Sequence, residues 1–367
     1  MRLLVNFFYA QPVGHAVEAL YHCGGYHAAD PSLEIHLALN AATATELAAL
    51  CPFVTETYAI RHPFLEPCAD SDARVAGLPR EWEWIADDGR RHQPFQLDLF
   101  PGMRDYYAAT DRRLAASMRR GPISYPPPPY ARHTPLRLRP PPSSGPGDGG
   151  IAVMPAGSGD RSLYPSRASW DLVLDALHEA FPDRPLVLVG RRARDERTST
   201  SMRGEELEAL LAHPSRPADL LDAPLLEQLA AVQRCGVFVA PHTGFGMAAL
   251  AVGTPWLAIS GGRWFEFFFN HVPFRSIVPD TSRFPAYTTF EAPPEVEDDG
   301  PRTASMTRAR IAGDLPRIVA AARELLGGEL DYERALREYF ADLAAAFGGD
   351  TSAIWSLDAV HADYLPQ

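Results

Sequence analysis

The sequence predicts an α/β protein built from two Rossmann-like domains with a cleft between them, and three observations carry that reading. The chain has 367 residues, more than one core usually spans at ~150 residues per domain. A Pro- and Gly-rich run, SYPPPPYARHTPLRLRPPPSSGPGDGG, fills most of the span from Gly121 to Gly150. Such a run supports neither a helix nor a central strand, so it divides the chain. On both sides of it, short apolar strands alternate with helical stretches through Gly-containing turns, the grammar of parallel strands with crossover helices. The expected boundaries are a first domain over 1–125, a linker over 126–150 and a second domain over 151–330. A terminal helix over 331–367 is expected to pack back on the first domain.

Taken in order, Leu3 to Phe7 reads as a strand, Gln11 to Gly14 as a turn and His15 to Cys23 as a helix. Leu33 to Leu39 alternates as a strand, and Thr45 to Leu50 fits a short helix. From Arg61 to Pro101 no period emerges, and Met103 to Met118 fits another helix. The second half is more regular. Ile151 to Met154 is a strand, and Ser169 to Phe181 a helix with Trp170, Val173, Leu174 and Leu177 on one face. Leu186 to Val189 is a strand closed by Gly190, and Leu225 to Arg234 a helix. Val237 to Ala240, Gly244 to Val252 and Trp256 to Ile259 continue as strand, helix and strand. An acidic, Pro-rich segment from Pro279 to Ser305 reads as loose, and Arg308 to Leu326 and Tyr332 to Phe347 as closing helices. Alternation of this kind places ligands beyond the carboxyl ends of the strands.

Charge narrows the function classes. The formal net charge is -12, which disfavours nucleic acid or an anionic membrane as partner, since both require a basic surface. Every basic side chain apart from His is Arg, which with abundant Ala, Pro and Gly reads as GC-rich coding. Without Lys there is no Schiff-base chemistry and no P-loop lysine, so anion binding falls to Arg, hydroxyls and backbone N–H groups. Cys23, Cys51, Cys68 and Cys235 show no C-x-x-C spacing, and a chain of this size does not need disulfides. The opening MRLLVNFFYA reads as a first strand rather than a leader. No apolar run approaches the ~20 residues of a membrane span. The expectation is a cytoplasmic protein; oligomeric state is left open.

Three strand-end turns of the second half can carry chemistry. The first, Met154 to Ser162, offers Gly157 for close backbone approach, the Ser158 hydroxyl and the Arg161 cation. The same residues also fit a flexible βα loop. The second, Ala240 to Gly246, runs from a strand into a helix. Its first-turn N–H groups and partial positive charge suit a diphosphate, and Thr243 fits either an N-cap or a phosphate donor. A capped helix with small residues for close packing is the alternative. In the third, after Gly190, Glu196 is placed to hold ribose hydroxyls, or else belongs to a solvated charged loop. Asp70-Ser71-Asp72 forms a D-x-D in a polar stretch, and His22 and His27 flank Gly24-Gly25 in an expected loop. Neither has the ligand set of a metal site, and none is assigned. Arg263 and Trp264 follow the Gly261-Gly262 turn and belong to the core or to the border of the cleft.

The order and spacing of the three turns resemble the donor domain of the bacterial heptosyltransferases, glycosyltransferase family nine. That family reads P-G-S-x-x-x-K-x-W-P, then strand-G-x-x-x-E, then a Leu-rich helix, D-T-G-x-x-H-x-A-A and x-P-x-x-x-x-F-G. Here the matching stretches are PAGSGDRSLYP from Pro155, Leu186 to Glu196, Leu225 to Arg234, and HTGFGMAALAVGTPWLAISG from His242. The resemblance covers about Ile151 to Gly262, and it implies the two-domain B-type (GT-B) architecture, a nucleotide-diphosphate-sugar as substrate and no cofactor. It carries Thr243 and Gly244 over as diphosphate contacts, Ser158 as a matching hydroxyl and Glu196 as the ribose acid. His242, Phe245 and Gly246 belong to the same motif. The chain departs from the family in three places: Arg161 stands beside the position of the family lysine, His242 replaces the Asp before Thr-Gly, and Met247 replaces the later His.

In the first domain the family's G-D-x-x-H-A aligns with Pro12 at the Asp position and His15 at the His position. An inverting transfer needs a base, and His15 has a suitable side chain, with Glu18 one turn further along as the alternative. His15 also fits a helix cap or a phosphate contact, with the base elsewhere. The reading is therefore a metal-independent, inverting glycosyltransferase acting on a small-molecule acceptor. A natural product is preferred, if the GC-rich source belongs to a lineage without lipopolysaccharide; a cell-envelope glycolipid is the alternative. From other classes, a nucleotide-sugar epimerase and a non-catalytic nucleotide-sugar-binding module remain rivals, the latter because Pro12 stands where the catalytic Asp is expected.

Overall fold

A computed structural model describes residues 1–9, 11–63, 66–87, 98–110, 134–142, 144–192, 200–262, 269–289, 291–297, 299–352, 354 and 356–365. The chain divides into two compact units, Met1–Leu138 and Arg139–Gln367.

The first unit holds strands β1 (Arg2–Phe7), β2 (Glu34–Asn40), β3 (Val54–Ile60) and β4 (Trp84–Asp87), with helices α1 (Val13–Ala29), α2 (Ser71–Val75) and α3 (Pro101–Thr110). Its strands pair in parallel in the order β3-β2-β1-β4. Leu3, Leu4, Val5, Asn6 and Phe7 are all buried, as expected of a parallel strand covered on both faces. Thr45–Leu50, read as a short helix, is a 3-10 turn. The segment from Arg61 to Pro101, without visible period, contributes both β4 and α2.

Helix α1 corrects one expectation. Gly24 and Gly25 lie inside it rather than in a loop between His22 and His27. A helical glycine costs about 1 kcal/mol, but Val17, Leu20, Tyr21, Cys23 and Tyr26 are buried on the same helix. Burial of each large side chain contributes about 1.5–3 kcal/mol, so tertiary packing carries the helix through the pair.

The second unit contains β5 (Ile151–Val153), β6 (Leu186–Gly190), β7 (Ala218–Leu221), β8 (Val237–Pro241), β9 (Trp256–Ile259) and β10 (Phe274–Ser276). They form one parallel sheet in the order β10-β9-β8-β5-β6-β7. Counted from β5, this is the Rossmann order 3-2-1-4-5-6. Helices α4 (Arg167–Ala180), α5 (Gly204–Leu211), α6 (Leu225–Arg234), α7 (Gly244–Ala251) and α8 (Arg308–Gly327) accompany the sheet. Helix α9 (Tyr332–Ala346) lies on β10, where Tyr339 meets the Phe274 ring edge-on at 5.4 Å.

The Pro279 to Ser305 segment is not uniformly loose. It carries an antiparallel hairpin of β11 (Glu295–Glu297) and β12 (Gly300–Arg302). The hairpin is tied down by Arg302, buried and ion-paired to Asp299 at 3.1 Å, and by Thr303, whose N–H donates to the Ser162 carbonyl at 3.0 Å.

Candidate functional site

Strand order decides where the loops converge. In the second unit the order reverses between β5 and β8, and ligands bind Rossmann sheets outside the carboxyl ends at that reversal. Val153 of β5 pairs with Val239 of β8, so the turns that follow these strands emerge side by side. A Cβ built on Gly157 stands 3.3 Å from Thr243 Cγ2 and 2.8 Å from the Tyr164 hydroxyl. Gly157 is therefore required by the close approach of two neighbouring groups.

Thr243 is the N-cap of α7, extended at φ -143°, and its hydroxyl accepts from the Gly246 N–H at 3.3 Å. Of the N–H groups that a first turn leaves unbonded within the helix, this cap takes one, while those of Gly244 and Phe245 keep the helix's positive end. The motif's other members serve packing. Phe245 is buried with its ring 5.5 Å from that of Phe238. A Cβ on Gly246 would stand 2.4 Å from the Trp256 ring, so glycine there lets helix and strand close. His242 is half-buried, its ring centroid 6.4 Å from that of Trp256.

The β5 turn is braced from below. Trp170, fully buried on α4, donates its indole N–H to the Pro155 carbonyl at 2.9 Å. The Tyr164 hydroxyl accepts from the Gly159 N–H at 3.0 Å. Ser158 lies exposed between these anchors. Tyr164 was not singled out from the sequence; its spacing of five residues from Gly159 is the signal that was available.

Arg161 does not stand open as a cation. Its Nη1 donates to Glu206 Oε2 at 2.7 Å, its Nη2 to Glu206 Oε1, and Nη2 also to the Asp299 carbonyl at 3.0 Å. Burial alone would raise the Glu206 carboxyl, but the Arg161 hydrogen bonds and those from Arg203 outweigh it and hold the group down to about 2. Arg161 thus joins the β5 turn to α5 and to the β11–β12 hairpin.

Gly190, at φ +129°, ends β6 in a conformation that favours glycine. The buried Gln228 amide clamps it, accepting from the Gly190 N–H at 2.8 Å and donating to its carbonyl at 3.1 Å. Gln228 sits within the Leu-rich helix, where its polar side chain at a buried position was the unread signal. Glu196 lies outside the described residues, as do Arg263 and Trp264.

In the first unit the order reverses between β1 and β4, and α1 starts in the turn after β1. Pro12 is the N-cap and receives no side-chain cap bond, so His15, three residues inside, is not the capping residue. His15 Nδ1 lies 3.3 Å from Glu18 Oε2, and His22 Nε2 lies 3.8 Å from Glu18 Oε1. Both expected catalytic side chains are thereby brought together, with His22 as a third member that the sequence reading set aside. Asp70 of the D-x-D is engaged by Arg74 at 3.0 Å and by the Cys68 thiol at 3.1 Å. Among the described residues, no group of three or more His, Cys, Asp or Glu is placed to hold a metal ion.

Solved structures share the fold. ADP-heptose LPS heptosyltransferase II of E. coli superposes with a TM-score of 0.55 at 15% identity, covering 90% of this chain and 100% of that one. The chain has the heptosyltransferase fold. E. coli heptosyltransferase WaaC with ADP-2-deoxy-2-fluoro heptose gives a TM-score of 0.56 at 10% identity, over 86% and 99% of the two chains. A glycosyltransferase family 9 protein of Veillonella parvula gives 0.56 at 12%, over 89% and 97%. Neither a protein-family model nor a curated relative matches the chain. Identities this low carry the heptosyltransferase fold, with its two Rossmann-like units, and leave the chemistry to the residues themselves.

Proposed function

We propose that the chain is a metal-independent, inverting glycosyltransferase whose donor is a nucleoside-diphosphate sugar. The observation that carries this reading is the meeting of the β5 and β8 turns at the strand-order reversal, with Gly157 against Thr243 beside the α7 N-terminus. Backbone N–H groups of Gly244 and Phe245, the Thr243 hydroxyl and the Ser158 hydroxyl suit the diphosphate, whose charge the helix end offsets. Gly190 borders the same sheet edge, and the ribose role of Glu196 belongs to this proposal. Arg161 is held by Glu206 and braces the β5 turn, which separates this site from one built on a mobile lysine.

In the transfer, the acceptor oxygen forms a bond to the anomeric carbon as the bond from that carbon to the phosphate oxygen breaks. The bonding pair leaves with the nucleoside diphosphate, and the acceptor's proton passes to His15. Attack from the face opposite the leaving group inverts the anomeric centre. The acceptor is read as a small-molecule hydroxyl, a natural product if the source lacks lipopolysaccharide. A cell-envelope glycolipid is the second reading, favoured by the fact that one similar structure is described as an LPS heptosyltransferase.

The test is incubation of the full chain with UDP-, GDP-, ADP- and dTDP-sugars in chelator, following nucleoside diphosphate release. Slow hydrolysis of one donor, lost in Thr243→Ala, is the expected result. An isomerised sugar identifies an epimerase, and binding without release identifies a binding module; either outcome overturns the proposal.

A further inference from the structure

We propose that Glu18 is a positioning residue, which turns His15 so that its Nε2 receives the acceptor's proton; this rests on the reading of His15 as the base. Residues 15, 18 and 22 fall three and four apart along α1, the spacings that bring helical side chains together. Glu18 is buried, and a buried carboxylate is stable only when its oxygens are matched by donors. Its two oxygens face two imidazoles: Oε2 is 3.3 Å from His15 Nδ1 and Oε1 is 3.8 Å from His22 Nε2. The His22 ring rests on Phe7 of β1, centroids 5.1 Å apart, which fixes that side of the carboxylate.

The consequence for His15 is chemical. A neutral imidazole carries one proton, and the nitrogen facing a carboxylate keeps it. With Nδ1–H directed at Glu18, the acceptor lone pair lies on Nε2, the nitrogen able to take a proton from a hydroxyl. His15 is about one-fifth exposed against one-twentieth for Glu18, so the imidazole is the member that a substrate can reach. Glu18 also favours the imidazolium formed in the reaction, as an orienting carboxylate does. It is a poor base itself, because a hydroxyl would have to displace an imidazole to reach it.

Ring-nitrogen NMR of the full chain labelled with ¹⁵N-histidine, at about pH 8 where an ordinary imidazole is neutral, tests this without a substrate. The His15 and His22 signals are assigned by their loss in His15→Gln and His22→Gln. The expected result is the Nδ1–H tautomer for His15. Finding His15 as Nε2–H overturns the inference whatever Glu18→Met shows. In Glu18→Met the Nδ1–H preference of His15 is lost, and donor hydrolysis falls about 10²-fold in kcat with donor KM unchanged; a change confined to KM contradicts it. Full turnover in His15→Ala sinks the base reading instead, while the tautomer result stands on its own.

Discussion

Arg161 and Glu206 form a two-point ion pair between the β5 turn and the first turn of α5, and Glu206 is almost fully enclosed, its side chain 6% exposed. The pair makes Arg161 a fastener between the β5 turn and α5. Arg161→Ala leaves the Glu206 carboxylate with only its Arg203 hydrogen bonds, at a cost of about 1–3 kcal/mol. The urea midpoint is expected to fall accordingly. An unchanged midpoint combined with lost nucleotide binding would instead make Arg161 a phosphate ligand.

Acid sensitivity follows from the same carboxyl. Held down to about 2 in the folded chain, Glu206 binds its proton at higher pH when unfolded, near the ordinary carboxylate value of about 4.3. The stability it contributes is complete above that value and is lost as pH falls through the window toward 2. Over that window the loss reaches about 3 kcal/mol. Unfolding free energies measured across it are expected to slope less in Glu206→Gln, and equal slopes would refute the assignment.

His62 gives the first unit a second window. Burial first, and the Arg74 charge second, push its imidazole down to about 4. Unfolded, it takes a proton near 6.5, so stability is full above 6.5 and declines as pH drops toward 4. The ring packs against Phe8, Tyr9 and Phe100, so His62→Phe should retain the packing. Comparing urea midpoints at pH 5 and 7 should show a smaller difference in the variant than in the parent.

Gln228 is expected to matter out of proportion to its place in an apolar helix. In Gln228→Leu the Gly190 N–H, buried at the end of β6, loses its acceptor, at a cost of about 2 kcal/mol. Amide exchange at Gly190 should accelerate along with the drop in stability. Unaltered exchange would mean that the clamp is not what holds the turn.

What could be read from the sequence followed from apolar runs. Trp256–Ile259 and Leu225–Arg234 were placed to the residue, because each is bounded by residues that end the element. β7, α5 and the β11–β12 hairpin went unread. Glu295 and Glu297 are polar residues on a two-stranded ribbon held by Thr303 on the Ser162 carbonyl and by Arg161 on the Asp299 carbonyl, contacts between segments far apart in the chain. At the site, Thr243 was legible as a cap because a hydroxyl before a helix has a local signature. The engagement of Arg161 was not, since Glu206 lies 45 residues away. The His15–Glu18 spacing was visible, but the burial of Glu18 beside His15 is a property of the folded helix.

The central claim is a nucleotide-sugar site at the meeting of the β5 and β8 turns, and a thermal-shift screen with UDP-, GDP-, ADP- and dTDP-sugars tests it most directly. A donor present at 100 times its Kd stabilises the folded chain by about 2.7 kcal/mol, which at ~2–4 °C per kcal/mol raises Tm by about 5–10 °C. The account predicts such a rise for one nucleotide series and its loss in Thr243→Ala, whose own cap costs only about 1 kcal/mol. No rise with any of the four series contradicts it.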